Sequence, residues 1–237
     1  MKLSYSFMIE TLNNSIKALP MTMKLTFIPL LIAIPFAFFL ALAQVNKVKF
    51  WSKLSTLYVS FVRGTPTVVL ILLFYNTLPG RLAVFFKSIG SDFNVYKMIP
   101  PITYAYLIFS LTATAALIEI IRSALLAVNK GQLEAAYSIG LNSVQAYIRI
   151  IIPQALLAAV PNLANLVIVM VKTTSLAFMM TVTDIMQTAK KGAALNYRYA
   201  EAYIVILVMY IVICLILQGF FKILEKRAGR FKGRLYA

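Results

Sequence analysis

Five stretches of this 237-residue sequence run without an ionisable side chain for about the length needed to cross a bilayer, and they dictate what the chain can fold into. They are Leu25 to Asn46, Gly64 to Gly80, Met98 to Ile118, Ile150 to Val171 and Ala202 to Phe221. A hydrocarbon core about 30 Å thick takes about 20 residues of helix, and only helices or closed barrels satisfy every backbone amide there. The second window is short, but Leu54 to Val62 before it is also largely apolar, so its helix is expected to run on through Arg63, which can snorkel to the interface. The expectation is an all-α membrane protein with five spans at about 25–46, 55–79, 98–118, 150–171 and 202–221.

Composition supports the same reading. With 61% hydrophobic and only 13% charged residues, the chain cannot cover a soluble surface, for which about a quarter of the residues would be charged. The net charge of +16 does not mark a nucleic-acid binder, because the Lys and Arg residues fall between apolar runs rather than on a solvated face. Histidine is absent and cysteine occurs once, at Cys214 in an apolar run, so His-based chemistry, multi-Cys metal sites and intrachain disulfides are excluded. The N-terminus lacks the basic and apolar pattern of a removable signal peptide.

Residues 1–20 repeat apolar side chains at helical spacing (Tyr5, Met8, Ile9, Leu12, Ile16, Leu19) with Glu10, Asn13, Asn14 and Lys17 between them, which predicts an amphipathic helix lying on the membrane surface. Pro20 is expected to break the chain before the first crossing. Five crossings put the termini on opposite sides. The stretch from Lys222 onward, with Lys226, Arg227, Arg230, Lys232 and Arg234 against Glu225, places the C-terminus and the basic tail 227–237 in the cytoplasm and the N-terminus outside. Without that tail the charge bias reverses.

The polar segment 123–149 stands between the third and fourth spans. Glu134, Ala135 and Ala136 start a short helix, Gly140 fits a C-terminal cap, Asn142 or Ser143 can cap a second helix through Ile152, and Pro153 marks re-entry into the membrane. A helix, a glycine turn and a second helix make a compact knob suited to another protein's groove.

This segment resembles the EAA loop of ABC importer permeases: Glu134-Ala135-Ala136, three residues, Gly140, nine residues, Ile150, one residue, Ile152, Pro153, with Ile152 in place of the usual Leu. Phe61 to Pro66 with its Arg63-Gly64-Thr65-Pro66, Glu119 to Arg122, Val128 to Gln132, Lys172 to Leu176 and Glu201 to Tyr203 are similar to motifs of the polar amino-acid uptake (histidine/glutamine-type) branch. Ile118, Ser123, Asn129 and Thr173 depart from that branch's pattern. The likeness covers about Leu19 to Lys226.

The resemblance implies a type I permease subunit in a bacterial plasma membrane that carries a polar amino acid, cystine being one guess. Glu134, Ala135, Ala136, Gly140, Ile150 and Pro153 would couple it to a cytoplasmic ATPase dimer. An extracytoplasmic solute-binding protein would deliver the substrate, and a second copy or a sister permease would complete the pore. No GxxxxGK[ST] loop is present, so the chain itself is expected to bind no cofactor, with ATP and Mg on the ATPase, and to be no enzyme.

Other polar residues carry alternatives. Glu119 and Arg122, three apart on one helix, can form an interfacial ion pair or a gate. Arg63, beside Thr65, either lines the pathway or anchors the helix. Lys172, with Thr174 and Ser175, either meets a substrate carboxylate or snorkels to headgroups. Methionines 179, 180 and 186 read as packing. A secondary transporter is the competing class, but all seven acids fall outside the five assigned spans, where ion coupling often needs one. A channel leaves the knob unexplained. A membrane enzyme lacks His, zinc spacing and an acid pair.

Overall fold

The computed structural model describes residues 3–235, which form ten α-helices and no strand. The first, α1 (Tyr5–Val45), is a single helix of 41 residues that runs through Pro20, Pro29 and Pro35. This corrects the expected break at Pro20. Along the first half of α1 the packed stripe is Phe7, Thr11, Ser15 and Thr22, while the apolar Tyr5, Ile9 and Ile16 and the polar Glu10, Asn13, Asn14 and Lys17 are exposed. In lipid an apolar face needs no cover, and small hydroxyl side chains let helices approach closely, so the stripe that carries them is the packed one. At about 1.5 Å per residue this helix exceeds a bilayer's apolar thickness, and its first half packs on later elements.

The second expected span is two helices. α2 (Lys49–Gly64) ends at Thr65, whose backbone is extended, and α3 (Thr67–Ser88) starts after Pro66. The residue before a proline disfavours helical angles, and the proline ring then sets the entry of the next helix. The apolar crossing therefore begins at Thr67 and excludes Arg63. A short helix α4 (Val95–Met98) leads to α5 (Pro101–Leu126), which has proline at its start, where the missing N–H costs nothing.

α5 is the central post of the fold and packs most extensively on α1. Ala33, Ala37 and Ala41 of α1, one turn apart, are fully buried, as are Ala105, Phe109 and Ala113 of α5. Alanine stripes bring the two backbones close, which gives van der Waals contact where no water is left to expel. Then follow α6 (Lys130–Ser138), α7 (Ser143–Ala146), a π-turn at Tyr147–Ile151 and α8 (Ile152–Thr173), which continues in a 3₁₀ turn, Thr174–Met180. Met180 is fully buried in the main core and Met179 packs against it, while Met186 packs in a separate cluster beside Phe7 and Ala189.

The helix α9 (Ile185–Asn196) lies outside every window read from the sequence. The last helix, α10 (Tyr199–Leu235), crosses with Leu207, Ile211, Leu215 and Ile216 exposed along it. Among the described residues five helices are long and apolar enough to cross a membrane, in agreement with the expected number. Glu10, Glu119, Glu201 and Glu225 lie on these long helices but outside their charge-free stretches.

Candidate functional site

The knob forms from local signals. Asn129 caps α6, its side chain accepting from the Gly131 amide at 2.9 Å. At the other end the Gly140 N–H bonds to the Tyr137 carbonyl at 2.9 Å and the Leu141 N–H to the Ala136 carbonyl at 3.1 Å. That pair of bonds is a Schellman turn, and it needs the left-handed φ of +82° that Gly140 adopts without strain. Asn142 and Gln145 then make a reciprocal capping box for α7, with bonds of 2.9 and 3.1 Å. Asn142, rather than Ser143, is the cap.

From Ser143 the chain stays helical into the membrane, so Pro153 does not interrupt it. Proline supplies no N–H to the carbonyl of Arg149, and the π-turn at Tyr147–Ile151 lies at this point, where a ladder missing one donor can be re-registered. Ile150 packs on the apolar cluster of Leu125, Val128, Ile151 and Ala155, whereas Pro153 is exposed. Tyr147 Oη donates to Asn46 Oδ1 at 3.2 Å, tying the knob to the end of α1. Gln154 Nε2 donates to Gln132 Oε1 at 3.5 Å, tying α8 to α6.

Within the motif, Ala136 is buried and fixes the knob to its base, while Glu134, Ala135 and Gly140 are exposed. Ile139, Val144 and Ile148 of the knob are each more than half exposed. These large apolar side chains on a polar knob escaped the sequence reading. Their signal was the isolated isoleucine beside the capping glycine.

Glu119 does not pair with Arg122 as expected. Its carboxylate pairs with Arg63 at the end of α2, both side chains being about half exposed. Arg122 instead lines a small pocket of about 260 Å³ together with Gln44, Ser60 and Glu119. Two further bonds place α2 here: Gln44 Nε2 donates to Ser55 Oγ at 2.8 Å, and Tyr58 Oη to the Leu111 carbonyl at 2.6 Å. Thr65 Oγ1 donates to the Phe61 carbonyl of its own helix at 2.8 Å.

Lys172 is exposed at the far end of α8. Thr174 Oγ1 donates to the Val171 carbonyl and Ser175 Oγ to the Lys172 carbonyl, both at 2.7 Å, so these hydroxyls turn back into the helix and do not converge with the lysine. Thr174 is fully buried. Nearby stands a residue the sequence reading passed over. Asp184 is fully buried and caps α9, accepting from the Gln187 amide at 2.8 Å, while its Oδ2 has no partner. Burial pushes its carboxyl up to about 6, against the α9 amides that pull it down. Asp followed three residues later by Gln was the signal that could have found it. Among the described residues no cluster of His, Cys, Asp or Glu could hold a metal ion.

Residues 33–230 match the family described as the inner membrane component of binding-protein-dependent transport systems. The chain belongs to this family. It is 36% identical over 217 residues to the L-cystine transport system permease protein TcyL of Bacillus subtilis, covering 92% of this chain and 88% of that one. It is 37% identical over 214 residues to the probable amino-acid permease protein YxeN of Bacillus subtilis, covering 90% and 91%. A crystal structure of an amino acid ABC transporter with histidines superposes with a TM-score of 0.79 at 31% identity, over 96% of this chain and 100% of that one. The MetNI methionine ABC transporter in an inward-facing form superposes at 0.70 with 16% identity, which shows the fold alone. The permease is thus a multi-pass membrane subunit of an ABC importer, with the five-span fold expected of it.

Proposed function

We propose that this permease imports a polar amino acid, received from an extracytoplasmic solute-binding protein and driven by ATP hydrolysis on a cytoplasmic ATPase dimer. ATP and Mg belong to that ATPase, and a second copy or a sister permease completes the pathway. The knob is cytoplasmic, as is the C-terminus, and the N-terminus is outside. Cystine is the first substrate to test, because TcyL is a cystine permease by name.

The observation that carries this reading is the build of the knob. Glu134, Ile139 and Gly140 are presented on a short capped helix that is tied to α1 through Tyr147 and to α8 through both the continuous backbone and Gln154. A part held at several points can pass a rigid-body push into the membrane, where a loose loop would dissipate it. The test is uptake by proteoliposomes holding the permease with its ATPase and binding protein. Gly140→Asp should insert normally and fail to drive uptake; wild-type uptake by that variant refutes the coupling role.

A further inference from the structure

On the side away from the knob, α3, α4 and the start of α5 enclose a pocket of about 310 Å³ lined by Tyr75, Asn76, Pro79, Tyr96 and Tyr104 among others. Three phenols on one pocket are more polar equipment than packing requires. The rings of Tyr75 and Tyr104 meet edge to face, 5.9 Å apart at 76°. Tyr96 stands over Gly80, its hydroxyl 3.7 Å from where a Cβ would sit, and α4 is pinned there by the buried Val95.

Tyr104 is 6% exposed and its hydroxyl has no partner in the protein. An unsatisfied buried hydroxyl costs roughly 1–3 kcal/mol, so a group that fills the pocket and bonds to it gains what the protein alone leaves unmade. The charge around the pocket says which sign that group has. Lys97 follows Tyr96 and Arg81 follows Gly80; with Lys87 they stand exposed against Asp92, the one acid between residues 67 and 100. Among the described residues none of these three cations is in an ion pair. Aromatic faces attract cations, but with three exposed basic residues against one acid on the segments that build the pocket, the net local charge favours an anion. Phenolic O–H donors bond more strongly to a charged acceptor, and a carboxylate presents two oxygens to them.

We propose that this pocket is a carboxylate-binding site at the outer mouth of the permease, with Tyr104 and Tyr96 as donors and Arg81 and Lys97 supplying the attracting field. That the mouth is outer rests on the importer reading above. Under that reading a carboxylate reaches it from the free amino acid or from an acidic side chain of the docked binding protein, and the chemistry is the same.

The test is thiol labelling of the intact transporter in nanodiscs. Cys214→Ser removes the native thiol, and Asn76→Cys, at an exposed lining position, reports on the pocket. The anionic reagent methanethiosulfonate ethylsulfonate should react several-fold faster than its trimethylammonium counterpart. Excess acetate, but not chloride at equal ionic strength, should slow it. Tyr104→Phe should abolish acetate protection while leaving the ring packing, and Arg81→Gln should weaken it. Protection that acetate and chloride give equally, or that survives Tyr104→Phe, overturns the site. Where free amino acid protects without the binding protein, the substrate is the source; where protection needs the binding protein, its acidic side chain is. Labelling needs neither ATP hydrolysis nor uptake, so its failure is separate from failure of the importer reading, which Gly140→Asp tests.

Discussion

Arg63, in the last turn of α2, is ion-paired with Glu119 of α5, and this joins the element just before the Thr65–Pro66 break to the helix that leads into the knob. Both groups are about half exposed, and such pairs in water contribute only about 0.2–1 kcal/mol, so the pair does not hold the fold together. Its effect belongs to the relative position of α2 and α5. Arg63→Gln and Glu119→Gln should each lower uptake with little change in thermal stability, and the swap Arg63→Glu with Glu119→Arg should recover most of the loss. Arg122→Gln, which removes the partner that sequence spacing favours, should do less. A swap no better than either single change refutes the pairing as the determinant.

Gly140 separates backbone strain from charge. A Cβ there meets nothing within 4 Å, so a side chain fits, but the φ of +82° disfavours L residues. Asn and Asp tolerate the left-handed region better than Ala does, where the cost is roughly 1 kcal/mol. Gly140→Asn should therefore keep more ATPase co-purification and uptake than Gly140→Ala, and Gly140→Asp should lose both through its charge at the knob tip. Equal loss with Asn and Asp would show that shape, and not charge, is what the partner reads.

What the sequence revealed was whatever local chemistry decides. Asn142 as one of two candidate caps, and Gly140 after a helix-forming run, are signals read within a few residues, and the structure uses both. Three features needed the neighbours. The helix continues through Pro20 where α9 and α10 pack on the first half of α1. The buried face of that half carries Thr11, Ser15 and Thr22, since lipid removes the usual reason to bury apolar side chains. Glu119 pairs with Arg63 and not with Arg122 because α2 folds back on α5, a choice no helical spacing encodes.

Asp184 predicts a pH dependence. Its folded carboxyl is raised to about 6, above the unfolded value of ~4, so the folded state holds the extra proton between those limits. Stability from this group is complete below about pH 4 and is lost as pH rises through about 6, with a size on the order of 2 kcal/mol. The apparent melting temperature of the purified complex should fall between about pH 4.5 and 7 more in the wild type than in Asp184→Asn, which can still cap α9. Parallel curves for the two proteins would mean that Asp184 is hydrated in solution.

Under the coupling role proposed for the knob, the hydrogen bond from Tyr147 to Asn46 bears on how it transmits force. At 3.2 Å between partly exposed side chains it is worth about 0.5–1.5 kcal/mol, too little to decide folding but enough to change how far the knob swings before α1 follows. Tyr147→Phe keeps the ring in its place beside Leu133 and Phe38 and removes only the donor. It should leave ATPase co-purification intact and lower the amino acid transported per ATP hydrolysed. Asn46→Ala should do the same, and the double variant should be no worse than either single one, because both delete one bond. If the transported-to-hydrolysed ratio is unchanged in all three, the push travels through the unbroken helical path from Ser143 into α8 alone, and α1 follows passively.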